Sequence, residues 1–352
     1  MTTTTLVPVV PRRPWKATQA ELLPIFGALV VAAIADYAVV ALTPMKGKIA
    51  YVLLFFIFGA GFQMALKYRA YGRRAAIDSL AGSVAIAGAV MAFAPVISIL
   101  TTTIIKGHKG LSFGFFTHDM SVTNYQSPLN QGGVFQAIVG TLYLILLATM
   151  ISLPLSLLTA LYLTEIKGKA AGFIQFLIQA MSGIPSVVAG IFIYSAFLLT
   201  TSLRGSTIMG ALALAILMIP TVTRTAQEVL LLVPQDLREA GLALGATQWK
   251  TVATIVVPAA RNGLITAVIL GIARIAGETA PLLFTIGVAS KANWNPFFGG
   301  QSSLPIYIWG GLGDGSQTGI DRAWAAILVL LIIVLTLFVV ARIFGTRKVK
   351  TK

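Results

Sequence analysis

Apolar residues in this chain run in long unbroken blocks, not in the alternating or one-sided stripes of a water-facing fold. Eight blocks are candidates for membrane spans: 22–43, 49–66, 76–105, 133–164, 170–199, 207–223, 262–287 and 322–345. A helix rises about 1.5 Å per residue, so crossing the hydrocarbon takes about 20 mainly apolar residues. Several blocks exceed that length, which predicts tilt or helix continuing past the lipid. Pro95, Pro154, Pro185 and Pro220 fall inside blocks and predict kinks. The first block is long enough to span and lacks a small-residue cleavage pattern, so it is not read as a secretory signal. Lipid leaves backbone groups no water to bond, and helices satisfy them internally. The pattern therefore predicts an all-α, polytopic membrane bundle.

Composition agrees. Of 352 residues, 57% are apolar and 11% charged, and mean hydropathy is +0.88. An ordinary soluble domain is about 25% charged, so a water-soluble enzyme is excluded. The chain has no cysteine and only two histidines, His108 and His118. Those numbers exclude a disulfide framework, a thiolate metal site and a histidine cluster. The net charge of +15 could signal nucleic acid in a soluble protein, but here it reads as cationic loops. With the N-terminus inside, 17 Lys and Arg fall on inner segments and 7, including Arg322, on outer loops. That bias places both termini in the cytoplasm. The first 20 residues, with Pro8, Pro11 and Pro14, read as a flexible cytoplasmic arm. The long outer loops 106–132 and 288–321 carry Phe113, Phe115, Phe116, Trp294, Phe297, Phe298, Tyr307 and Trp309. These rings fit either interfacial anchors or a surface for an extracytoplasmic partner. No Walker A sequence occurs, and Gly310–Gly319 lacks the strand and Lys-Ser/Thr of a phosphate loop.

The polar interval between Arg224 and Arg261 carries the strongest motif. Val233 to Gly245 reads as a short helix, with Pro234 at its start, Asp236 at the positive dipole end and Gly245 as a left-handed cap. Thr247 can cap a second helix running through Lys250 towards Pro258. A helix, a glycine bend and a helix at the membrane surface form a shape that a groove on another protein can hold.

Glu239-Ala240-Gly241, then Gly245, then Ile255-Val256-Val257-Pro258 resembles the EAA loop of ABC importer permeases. Gly241 stands where that pattern has Ala, and Val257 where it has Leu. Further on, Ala273-Arg274-Ile275-Ala276-Gly277-Glu278-Thr279-Ala280-Pro281-Leu282-Leu283-Phe284-Thr285 is similar to the A-type permeases of phosphate ABC importers. Gly140-Thr141-Leu142, Leu161-Tyr162-Leu163-Thr164-Glu165, Gly183-Ile184-Pro185-Ser186-Val187-Val188 and Pro220-Thr221-Val222-Thr223-Arg224-Thr225 support the likeness. It covers roughly residues 76–345. It implies a type I permease core of six spans over 76–352 with a coupling loop at 224–258. Residues 1–75, arm and additional hairpin, fall outside it. The resemblance further implies half of an ATP-driven phosphate pathway in a bacterial cell membrane, coupled through Glu239, Ala240, Gly241, Gly245 and Pro258. The implied partners are a second, C-type permease, two ATPase subunits that bind ATP and Mg, and an extracytoplasmic phosphate-binding protein. Membrane lipid and inorganic phosphate complete the set, and nucleic acid is not in it. This chain would itself be non-catalytic and carry no cofactor.

Charges inside apolar blocks are the residues that chemistry singles out. With the seventh span starting near Arg261, Arg274 lies about 20 Å deeper, where a charge costs about 2.5–3.5 kcal/mol or more. Glu278, four residues on, is expected on the same helix face. A guanidinium has the donor geometry for a tetrahedral oxyanion, and Glu278 could orient it or accept from a protonated phosphate oxygen. A structural ion pair joining helices is the competing reading. Arg224 is a second pathway candidate or a membrane-surface anchor, and Arg261 is an anchor. Asp36, in the first span, pairs with a neighbouring helix or subunit or reaches towards the surface. A secondary anion transporter or a channel not driven by ATP is the alternative function.

Overall fold

The computed structural model describes residues 19–44, 47–200 and 204–345, so all but the last two positions of the expected arm over 1–20 lie outside the described residues. Every regular element among the described residues is helical. Among these residues, six helices are long and apolar enough to cross a membrane, and one bent pair makes a seventh candidate. The expected second and third spans merge into a single run interrupted at Gly72, whose φ of 83° and ψ of −173° are not helical. Counting the run on each side of Gly72 separately gives each of the eight predicted blocks a helical counterpart. The chain divides into two compact units, residues 1–100 and 101–352.

The first unit holds α1 (Gln19–Leu42) and most of α2 (Lys48–Gly107). Ala28, Ala32, Asp36 and Val40 recur every four residues on α1 and are all buried, as one face of a helix must be when it packs on a neighbour. Gly59 of α2 meets this face, with room beside it for Leu29 and Ala32. Asp36 does not reach for the surface. It is 7% exposed, and its Oδ1 has no hydrogen-bond partner.

In the second unit, α4 (Phe135–Leu161), α7 (Thr207–Leu231) and α10 (Val257–Ala276) pack together. Three buried clusters succeed one another along α4. The first includes Ala137 with Phe115, Leu304 and Tyr307; the second Leu144 with Leu214, Met218 and Ile275; the third Ala160 with Leu230, Val256 and Leu264. Helices in lipid approach through small residues. At Gly271 of α10 an added Cβ would stand 2.4 Å from Val222 Cγ2 of α7. Polar ties cross α4 and α7 as well: Ser156 Oγ donates to the Ile219 carbonyl at 3.2 Å, and Thr223 Oγ1 to the Ser156 carbonyl at 3.4 Å.

Two expected spans are corrected. The block 170–199 is a broken pair, α5 (Ala171–Ser182) and α6 (Ser186–Ile193), continued by a π-helical turn and bent by 104°. Pro185 sits extended at φ −60° and ψ 139°, and a proline disfavours helix in the residue before it. The block 262–287 is displaced towards the N-terminus. Helix starts at α9 (Gln248–Thr251), passes a π-helical turn at Val252–Val256 and runs through α10 to Ala276. Pro258, which has no N–H to donate, follows directly on that π-helical turn inside the continuous helical run. The chain then leaves helix at Gly277 and resumes as the short α11 (Ala280–Thr285).

The segment between α3 (Phe113–Thr117) and α4 is ordered by the last helix, α13 (Gln317–Gly345). Arg322, assigned from the sequence to an outer loop, instead lies in α13 with no exposed surface. Its Nη2 donates to the carbonyls of Ser127, Pro128 and Gln131 at 3.1, 2.8 and 2.6 Å. Beside it Tyr125 packs edge-on against Tyr307 of α12 (Leu304–Gly313), with ring centres 5.3 Å apart.

Candidate functional site

One face of α7 is spaced for a cleft. Leu217, Pro220, Thr221, Arg224 and Thr225 recur at three and four residues and line a cavity of about 240 Å³. Met181 and Ser182 enter it from the last turn of α5, and Arg274 from the last turn of α10. The break after Ser182 and the end of α10 at Ala276 thus place two helix termini and two guanidinium-bearing residues around one space. Among the described residues neither Arg224 nor Arg274 has a carboxylate within ion-pair distance, and both are exposed to solvent or lipid. Like charges facing one cleft without an acid between them favour an anion there.

The neutral lining has a defined polarity. Ser182 Oγ donates to the Ile178 carbonyl at 2.9 Å, Thr225 Oγ1 to that of Thr221 at 3.0 Å, and Thr221 Oγ1 to that of Leu217 at 3.4 Å. With their protons turned to backbone, these hydroxyls keep oxygen lone pairs that can accept. Donors at the two arginines and acceptors at three hydroxyls therefore share the cavity.

The expected Arg274–Glu278 pair is not formed. Because α10 ends at Ala276, Glu278 lies past the helix in the Gly277–Thr279 link and shares no helical face with Arg274. No ion pair joins them, and Glu278 does not line the cleft. Arg224, expected just beyond the sixth span, is inside α7, which runs two turns further to Leu231.

The loop motif between Arg224 and Arg261 folds as its residues predict. α8 (Gln235–Ala243) follows Pro234, and Gly245 takes φ 79°, a conformation that costs other residues about 1–2 kcal/mol. Thr247 Oγ1 accepts from the Lys250 N–H at 3.4 Å and caps α9. Gly241 is closely packed: an added Cβ would stand 2.7 Å from Ile255 Cδ1 and 2.8 Å from Thr251 Cγ2. An Ala there would require these two side chains to shift. Glu239, Ala240 and Gly245 are exposed, as are Leu237, Leu242, Leu244 and Trp249, while Gly241 is buried.

A clamp that was not anticipated fixes α8 to the end of α4. Arg238 donates to both carboxylate oxygens of Glu165, Nε to Oε2 at 3.0 Å and Nη2 to Oε1 at 2.8 Å. It also donates to the carbonyls of Val233 at 2.6 Å and Leu230 at 2.9 Å. Glu165 belongs to a π-helical turn that ends at Lys167 in a left-handed conformation, φ 50°. Gln248 Nε2 donates to the Glu165 carbonyl at 2.6 Å, so both arms of the bend return to one residue. Hydrogen bonding to Glu165 raises the Arg238 pKa further above its ordinary value. The clamp floors a groove of about 700 Å³ lined by Leu231, Leu232, Pro234, Gln235 and Leu242. The sequence offers one local hint, the glutamate ending Leu161-Tyr162-Leu163-Thr164-Glu165, but its partner is 73 residues away.

Residues 152–350 match the model of the binding-protein-dependent transport system inner membrane component family. The phosphate transport system permease protein PstA 1 of Mycobacterium tuberculosis is 36% identical over 281 residues, covering 78% of this chain and 92% of that protein. PstA of Mycobacterium leprae is 36% identical over 264 residues, covering 74% of this chain and 86% of that protein. PstA of Haemophilus influenzae is 36% identical over 256 residues, covering 71% and 87%.

Proposed function

Because this chain belongs to the family of binding-protein-dependent transport system inner membrane components, alongside the PstA permeases, we propose that it forms half of the membrane pathway of an ATP-driven phosphate importer. Arg224 and Arg274 meet phosphate in transit. The observation that carries this role is their convergence, from positions 50 residues apart on α7 and α10, on one cleft without a carboxylate. Phosphate near neutral pH carries both negative charge and a proton, so it needs donors and at least one acceptor. The guanidiniums supply the first and the hydroxyls of Ser182, Thr221 and Thr225 the second.

Coupling runs through α8. An exposed apolar set on a polar loop, Leu237, Leu242, Leu244 and Trp249, suits a groove on an ATPase subunit. Closure of two such subunits pushes α8, and the Glu165–Arg238 clamp passes the push to α4 and α7. The spans then alternate access between the two faces, with both termini on the ATPase side. A second permease subunit and an extracytoplasmic phosphate-binding protein complete the assembly. ATP and Mg belong to the ATPase chains, and this subunit carries out no catalysis.

Labelled-phosphate uptake into liposomes containing the whole assembly tests the reading. Uptake should require ATP, fall at least about tenfold in Arg274→Gln, as expected for a lost charge-assisted contact, and leave the assembly intact. Wild-type uptake by that variant, or uptake without ATP, overturns it. Arsenate should compete strongly and sulfate weakly, because sulfate at neutral pH brings no proton for the hydroxyl acceptors.

A further inference from the structure

The first unit holds a groove that the transport reading does not use. α1 begins beside it with Pro24 and Ile25, and the first half of α2 ends beside it with Gln63, Leu66, Lys67 and Tyr71, enclosing about 280 Å³. Gln63, Lys67 and Tyr71 continue into an adjoining cleft with Asp78, Ser79 and Ser83 from beyond the Gly72 break. One wall is apolar, and the other carries a cation and two polar side chains. Lys67 is half-buried, with Nζ 5.1 Å above the Tyr71 ring and, among the described residues, no carboxylate within ion-pair distance.

Depth places this groove at a membrane boundary. Lys48 and Lys67 are 19 residues apart on one helix, or about 29 Å, close to the hydrocarbon thickness of about 30 Å. The interval between them holds no other charge, whereas Arg69, Arg73 and Arg74 follow directly on Lys67. Tyr68 and Tyr71 stand exposed among these cations. Four positive side chains within eight residues, opposed among the groove-lining residues by Asp78, face a leaflet where anionic lipid concentrates cations at about 1 kcal/mol each.

We propose that this groove is a binding site for an anionic phospholipid. Lys67 meets the headgroup phosphate, Gln63 and Tyr71 supply further polar contacts, and an acyl chain lies along Pro24, Ile25 and Leu66. Free phosphate fits less well, because a single cation beside a carboxylate and an apolar wall cannot replace the hydration of a small dianion. An acyl chain turns that same wall into a favourable contact.

The test uses the full chain in its assembly, in nanodiscs of phosphatidylglycerol or phosphatidylcholine, with bound lipid counted by native mass spectrometry. Phosphatidylglycerol should be retained in preference to phosphatidylcholine and should resist millimolar inorganic phosphate. Lys67→Gln should weaken retention about fivefold, the effect of one surface cation, while Lys67→Arg should hold it, which shows that the hairpin tolerates substitution. A photoreactive phosphatidylglycerol should label residues 63–71. Equal retention of the two lipids, no change in Lys67→Gln, displacement by inorganic phosphate, or crosslinking of the groove to protein would each overturn the proposal.

Discussion

Removing Arg238 should do more damage than removing Glu165, and the structure gives the size of both effects. The Arg238 side chain is 16% exposed and that of Glu165 is 6%, so the pair is largely desolvated. Arg238→Ala abolishes four donated bonds, two to the carboxylate and two to the Leu230 and Val233 carbonyls. It also leaves a carboxylate with little access to water. Breaking a buried pair in this way costs about 3–5 kcal/mol, and the open groove beside Arg238 argues for about 3. Glu165→Ala leaves Arg238 its two carbonyls and access to the groove, so about 2 kcal/mol is expected, near the value of a charged hydrogen bond. A double-mutant cycle read by thermal unfolding of the assembled complex should return a coupling of about 2 kcal/mol. Stimulated ATP hydrolysis should persist in both variants while uptake per ATP falls. A coupling below about 0.5 kcal/mol, the level of an exposed surface pair, would refute the reasoning.

Other outcomes follow from the same geometry. Gly241→Ala should destabilise the α8 contact by about 1 kcal/mol, since the Ile255 and Thr251 side chains must shift out of contacts of 2.7 and 2.8 Å; Gly241→Leu should abolish uptake while the chain still inserts, as followed by membrane fractionation. Gly245→Ala should cost about 1–2 kcal/mol at its φ of 79°, and protease access to the 244–248 bend should report it. Burial pushes the Tyr125 phenol up to about 12, above its value in the unfolded chain. Stability from Tyr125 is thus complete below pH about 10 and lost as pH rises towards about 12. Difference absorbance should show that late ionisation, and Tyr125→Phe should remove it.

Apolar block length located the helices well, because lipid sets one length scale for every span. It failed where backbone chemistry interrupts a block without changing its hydropathy. Gly183-Ile184-Pro185 is apolar enough to read through, yet it bends the chain by 104°. Gly277 likewise ends α10 inside an apolar run, which separated Glu278 from Arg274. The α8 bend was legible because proline, threonine and glycine specify local conformation through their own dihedrals and caps. Contacts set by distant sequence were not: nothing near Arg238 announces Glu165, and nothing near Arg322 announces the carbonyls of 127–131. Thr221 and Thr225 could have been found by continuing the Leu217–Arg224 face, a periodicity hidden among equally hydroxylated neighbours such as Thr223.

The guanidinium buried in the last helix also imposes an order on biogenesis. Pro128 leaves the ribosome 194 residues before Arg322, a delay of about 10–40 s at ordinary elongation rates. Throughout that interval the Pro128 carbonyl has its local bond from the Gln131 N–H at 2.9 Å, while the guanidinium that also donates to it and to its two neighbours is still to come. A chain cut short anywhere before residue 322 therefore lacks the donor that gathers the three carbonyls of residues 127–131, even when most of its spans are already made.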